Sequence, residues 1–144
     1  MRLKYSAIIL SLLVLCVVVM GSSCAEKIGD STQKIVDISA EEAFNLIQDN
    51  EGNSDFIIMD VRTPEEFADG HIENAINLDF YSESFKAELS KLDRNKTYLV
   101  YCRTGNRSSS TIDIMSELGF KEVYHLDVGI VGWLDKGLPT IIQT

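Results

Sequence analysis

Three features of this 144-residue sequence predict an α/β domain built around a mainly parallel central sheet flanked by helices. Short apolar runs alternate with helix-like segments from Lys34 onward, two of those runs are apolar almost end to end, and two helices open on capping boxes. A strand that is apolar on both faces needs cover on both faces, and helices on either side of a parallel sheet supply it.

The elements follow in order. Ile35 to Ile38 reads as a short strand, and Ser39-Ala40-Glu41-Glu42 opens a helix whose Ala43, Phe44 and Ile47 share one face. Polar, turn-rich Asp49 to Asp55 ends it. Phe56 to Val61 is a buried central strand interrupted only by Asp60, which falls at its carboxyl end. Thr63-Pro64-Glu65-Glu66 is the second capping box, with proline at the first helical position and Gly70 as the stop. Ala75 to Leu78 gives a short strand, and Ser82 to Leu92 places Phe85, Leu89 and Leu92 at helical spacing. Thr97 to Tyr101 is the next buried strand, Ser108 to Leu118 is a helix closed by Gly119, and Glu122 to Leu126 is the last strand.

Residues 1–23 have the layout of a signal peptide. Arg2 and Lys4 precede an apolar stretch from Ala7 to Met20, and Gly21-Ser22-Ser23 then lead to Cys24. The stretch is shorter than the roughly 20 residues a membrane-spanning helix needs. Small residues before Cys24 resemble a bacterial lipobox, with cleavage after Ala25 as the competing reading; both export the domain to the cell envelope, periplasmic or anchored there by a lipid on Cys24. Residues 24–33 are expected to be a flexible tether and 34–144 the folded domain. Loss of Arg2 and Lys4 takes the formal charge from −9 to −11, so no nucleic-acid footprint is present. Of the three cysteines, Cys16 lies in the leader and Cys24 at the tether, which leaves Cys102 without a disulfide partner.

Cys102 follows the run Tyr98 to Tyr101 and starts the turn Cys102-Arg103-Thr104-Gly105-Asn106-Arg107. A thiol held over successive amides at a helix's positive end is stabilised as thiolate, and guanidiniums at Arg103 and Arg107 push the same way. Open α/β sheets place their chemistry beyond the strands' carboxyl ends, where both Cys102 and Asp60 fall.

Three segments together resemble the rhodanese family of sulfurtransferases. Ile58 to Arg62 with Glu66, Phe67, Gly70, His71, Ile72, Ala75 and Asn77 is similar to the family's first signature. Cys102 to Ser108 resembles its active-site loop, and Leu118 to Phe120 with Val123, Leu126, Gly129, Gly132, Trp133, Gly137 and Pro139 resembles its closing segment. The resemblance implies a three-layer fold and a persulfide mechanism. Cys102 would take a sulfane sulfur from a donor such as thiosulfate or a persulfide and pass it to a thiol or cyanide-like acceptor. It implies no cofactor and no metal. Arg103, Thr104, Gly105, Asn106 and Arg107 would bind the substrate, with Asp60, Arg62 and Ser108 in support. A monomer is expected, with a thioredoxin-like reductant regenerating the thiol because no second cysteine lies nearby.

Asp60 and Arg62 read first as a buried pair that fixes the loop. His71 reads as a turn anchor, Trp133 as core, and His125 carries no motif. Two rival functions remain: a cysteine phosphatase or arsenate reductase, and a non-catalytic binding or redox-sensing module. The first needs Cys-x5-Arg, whereas Cys102 to Arg107 is Cys-x4-Arg with Ser108 in the next place. The second is disfavoured because cysteine, glycine and arginine are all retained.

Overall fold

The structure is a computed structural model that describes residues 33–142. The leader, Cys24 and the tether up to residue 32 lie outside the described residues. Gln33 belongs to the folded body rather than to the tether, because its side-chain amide donates to the carbonyls of Ser116 (2.9 Å) and Phe120 (3.0 Å).

Five strands form one sheet: β1 (Lys34–Ile38), β2 (Phe56–Asp60), β3 (Ile76–Asn77), β4 (Thr97–Tyr101) and β5 (Glu122–Leu126). Their spatial order is β1-β5-β4-β2-β3 and every pairing is parallel. The helices are α1 (Ala40–Asp49), α2 (Pro64–Ala68), α3 (Phe85–Lys91), α4 (Asn106–Glu117) and α5 (Gly129–Asp135). Both capping boxes form as expected: Ser39 and Glu42 close α1, and Thr63 and Glu66 close α2, each with its side chain and backbone satisfied reciprocally. Among the described residues, no helix is long and apolar enough to cross a membrane.

Strand alternation splits the core into two layers. Met59, Val61, Tyr98, Val100 and Val123 pack with Phe85 and Leu89 of α3 and with Ile112 and Met115 of α4. Ile58, Leu99, Tyr101 and Leu126 pack on the opposite face with Ala40 and Ala43 of α1 and with Ile130 and Trp133 of α5. The three-layer arrangement thus accounts for the uninterrupted apolar runs: alternate residues serve different helices. Burying each large side chain contributes about 1.5–3 kcal/mol.

Two differences from expectation bear on the site. The last helix, α5, was not expected: it is seven residues long, contains Gly132 and has no side-chain cap, so it carries none of the usual start signals. And α4 begins at Asn106, not at Ser108. Gly105, at φ 95°, turns the chain into the helix, and the Ser109 amide already donates to the Gly105 carbonyl at 2.8 Å.

Candidate active site

β4 ends at Tyr101 and α4 starts at Asn106, so only Arg103, Thr104 and Gly105 separate Cys102 from the helix. The turn is held open from behind by the chain that leads into α5. The Ile130 amide donates to the Cys102 carbonyl (2.9 Å) and the Val131 amide to the Arg103 carbonyl (3.1 Å). With these carbonyls bound on the outside, the turn's amides face inward to the sulfur. This back-to-back contact admits no side chain: a Cβ on Gly129 would stand 2.4 Å from the Arg103 carbonyl oxygen, and one on Gly105 would stand 2.0 Å from that of Asp127.

The sulfur is well supplied with donors. The Gly105 amide lies 3.2 Å from Cys102 Sγ and the Ser108 hydroxyl 3.3 Å. Burial alone pushes the thiol pKa up. The Ser108 hydroxyl and the amides of Ser108, Thr104 and Gly105 outweigh it, and the net shift is downward, toward thiolate. Cys102 is only 1% exposed, yet it lines a cavity of about 370 Å³ together with Glu66, Tyr81, Arg103, Thr104, Asn106 and Arg107. This cleft gives access to its sulfur.

The two guanidiniums both line the cleft but differ in their partners. Arg107 Nη1 and Nη2 bind Glu66 Oε2 and Oε1 at 2.7 and 2.8 Å, a bidentate pair that neutralises the arginine at the rim of the cleft. Hydrogen bonding to Arg107 holds the Glu66 carboxyl at about 2, and the same bond pushes Arg107 upward. Arg103 is exposed. Thr104 and Asn106 are exposed and Gly105 is buried, so the main chain of this turn, more than its side chains, faces the thiol. Tyr81, which the sequence did not single out, lies under the Arg107 guanidinium, 5.5 Å from ring centroid to Cζ.

Because the folded-state pKa of Glu66 is depressed, the pair contributes stability fully above the ordinary glutamate value near 4.3, and that contribution is lost as pH falls toward about 2. A Glu66→Gln variant should lose the acid-limb stability difference in this window, measured by thermal unfolding between pH 5 and about 2. The glutamate is 30% exposed, which keeps the effect near 1 kcal/mol or below.

Asp60 and Arg62 form the pair expected at the end of β2. Both Asp60 oxygens accept from the Arg62 side chain, with Arg62 Nη2 at 2.6 Å from Oδ2. Arg62 Nη2 also donates to the Gly70 carbonyl (2.7 Å), and Asn77 Nδ2 donates to the carbonyls of Asp60 and Arg62. These bonds tie the end of β2 to the turn that follows α2 and to β3. The pair shares the sheet's carboxyl edge with Cys102 but does not line its cleft. His71 is a loop anchor: its ring stacks on Phe67 (3.7 Å) and Nδ1 contacts the Phe67 carbonyl. Trp133 is core, its indole N–H bound to the Pro139 carbonyl. It borders a second cavity of about 430 Å³, with Phe44, Ile47 and Ile72, whose lining contains no cysteine or histidine.

His125 and Asp37 were not expected at the site. His125 Nε2 lies 2.8 Å from Ser108 Oγ and Nδ1 lies 2.8 Å from Asp37 Oδ1. Strand order explains why they escaped notice: β1 and β5 bracket one edge of the sheet, and only their pairing sets Asp37 beside His125.

Comparison with known proteins agrees with this geometry. The Rhodanese-like domain model matches residues 39–136. A sulfurtransferase of Allochromatium vinosum is 30% identical over 105 residues, 73% of this chain and 94% of that protein. The thiosulfate sulfurtransferase GlpE of Coxiella burnetii is 38% identical over 96 residues, 67% of this chain and 84% of that protein. The solution structure of a polysulfide-sulfur transferase homodimer from Wolinella succinogenes is 30% identical, with a TM-score of 0.61 over 76% of this chain and 80% of that one. A cysteine cradled by main-chain amides at the carboxyl edge of a five-stranded parallel sheet, with relatives of this kind along most of its length, makes this chain a member of the rhodanese-like domain family.

Proposed function

We propose that the protein is a sulfurtransferase that works through a persulfide on Cys102. The thiolate attacks the sulfane sulfur of a donor such as thiosulfate; the sulfur–sulfonate bond breaks, sulfite leaves with its electron pair, and Cys102 carries one added sulfur. An acceptor, a thiol or cyanide, then attacks that outer sulfur, the persulfide bond breaks, and the thiolate is restored. The observation that carries this reading is the convergence of the Gly105 amide and the Ser108 hydroxyl on a single sulfur. These donors stabilise the anion before attack and the terminal sulfur afterwards.

The small cradle favours sulfur over phosphate. The four residues between Cys102 and Arg107 leave one position fewer than a Cys-x5-Arg loop, and the arginine is occupied by Glu66. Purified protein should transfer sulfur from thiosulfate to cyanide and leave a generic phosphate ester intact; the reverse pattern would overturn the reading. With a formal charge of −9 and Arg107 neutralised, an anionic donor is repelled at long range. Raising ionic strength from about 0.01 M to about 0.15 M shortens the screening length from about 30 to about 8 Å, so kcat/KM for thiosulfate should rise severalfold. The same charge suits a less anionic natural donor such as a protein persulfide. We place the activity in the bacterial envelope on the strength of the leader and Cys24, with an external thiol reductant as the acceptor.

A further inference from the structure

We propose that His125, backed by Asp37, is a positioning residue that takes the Cys102 proton through Ser108, so that Cys102, Ser108, His125 and Asp37 form one proton relay. The four groups are in series: Sγ to Ser108 Oγ 3.3 Å, Oγ to His125 Nε2 2.8 Å, and Nδ1 to Asp37 Oδ1 2.8 Å. Strand alternation puts three of them on one face of the sheet, since Asp37 and His125 are register partners and His125 lies beside Val100, two residues before Cys102.

Proton counting fixes how the chain works. A carboxylate only accepts, so Asp37 holds the proton of His125 on Nδ1. In neutral His125, Nε2 is then an acceptor and takes the single Ser108 proton, and Ser108 Oγ is free to accept from the thiol. When the thiol ionises, its proton passes to Ser108 Oγ as the Ser108 proton passes to Nε2. One S–H bond and one O–H bond break; one O–H bond and one N–H bond form. The product is a thiolate and an imidazolium, with the Ser108 hydroxyl turned to donate to the sulfur. Ser108 Oγ also lies 2.9 Å from the Gly105 carbonyl, which competes for the same proton whenever the sulfur does not hold it.

Burial gives the relay a direction. Ser108 is fully buried and His125 is 6% exposed, whereas the Asp37 side chain is 72% exposed and faces solvent. The titratable groups that meet the ring are Asp37 from β1 and, through Ser108 of α4, Cys102; β4 sets Val100 beside it in register. Among the described residues, no other carboxylate or cation is paired with this ring. The inner end of the relay is too enclosed for Ser108 to act on a substrate itself, so its partner is the sulfur.

The relay rests on Cys102 being the reacting thiol but not on the identity of the sulfur donor, and iodoacetamide tests it without any donor. In the full chain, the alkylation rate of the Cys102 peptide should rise with pH as the thiolate forms. His125→Gln should slow alkylation near neutral pH about tenfold, equal to one unit of thiol pKa. Asp37→Asn, at an exposed position that leaves the fold untouched, should slow it about threefold because solvent screens that carboxylate. In a Ser108→Ala background, neither substitution should change the rate further. Profiles of Asp37→Asn and His125→Gln that superimpose on the native one would overturn the relay, as would undiminished effects in the Ser108→Ala background. Failure of native protein to transfer sulfur, with these profiles intact, would instead overturn the proposed activity and leave the relay standing.

Discussion

Cys102→Ser should lower sulfur transfer by at least roughly a thousandfold while leaving the fold intact. A hydroxyl has neither the ionisation nor the nucleophilicity of a thiolate at neutral pH, and no neighbour compensates: Ser108 is buried, and Cys102 is the only cysteine among the described residues. The smaller oxygen still accepts from the Gly105 amide, so the turn keeps its shape and the melting temperature should move by only a few degrees. Steady-state transfer from thiosulfate to cyanide, read beside circular dichroism, measures both. Transfer at the native rate would move the nucleophile elsewhere.

Asp60→Ala should be the most destabilising single change near the site, at about 3–5 kcal/mol. It leaves Arg62, whose side chain is only 7% exposed, without its bidentate partner, and removes the acceptor that also binds the Arg62 amide. At about 4 °C per kcal/mol for a domain of this size, the melting temperature should fall by roughly 10–20 °C. The paired replacement Asp60→Leu with Arg62→Met should cost far less, because it leaves no buried charge without a partner. A double variant as unstable as Asp60→Ala would mean that the hydrogen bond from Arg62 to Gly70, and not the buried charge, holds this loop.

Much of the fold was legible because local chemistry and tertiary structure agree. Ser39 with Glu42, and Thr63 with Glu66, announce their helices within four residues, and Pro64 marks the first turn of α2. Phe56 to Asp60 and Thr97 to Tyr101 read as central strands because both faces of each are covered. What stayed hidden depends on contacts distant in the chain. Glu66 is satisfied locally as a capping residue, and nothing in its neighbourhood announces that it also binds Arg107, 41 residues away. The same holds for Asp37 and His125, 88 residues apart, whose meeting follows from β1 pairing with β5. α5 was missed for a different reason. Its first turn is set by contacts of Ile130 and Val131 with the turn after β4 and by the approach that only Gly129 permits, not by a capping side chain.

Those contacts have a functional consequence. Amides of the closing segment bind the outer carbonyls of Cys102 and Arg103, and the inner amides of the turn are thereby committed to the sulfur. The cradle is a product of two segments of chain packed back to back, which is why neither segment alone specifies it. It also explains how a buried cysteine keeps a depressed pKa against the cost of burial: the Ser108 hydroxyl and the amides of Ser108, Thr104 and Gly105 converge on the sulfur.

The proposed sulfur transfer requires Cys102 to carry the sulfur in transit. Mass spectrometry of the protein after exposure to thiosulfate, without acceptor, tests it most directly. An adduct of about 32 Da, one sulfur atom, is expected on the peptide containing Cys102, removed by cyanide and absent from Cys102→Ser. A native peptide of unchanged mass in a protein that nevertheless transfers sulfur, or an adduct that persists in Cys102→Ser, would contradict it.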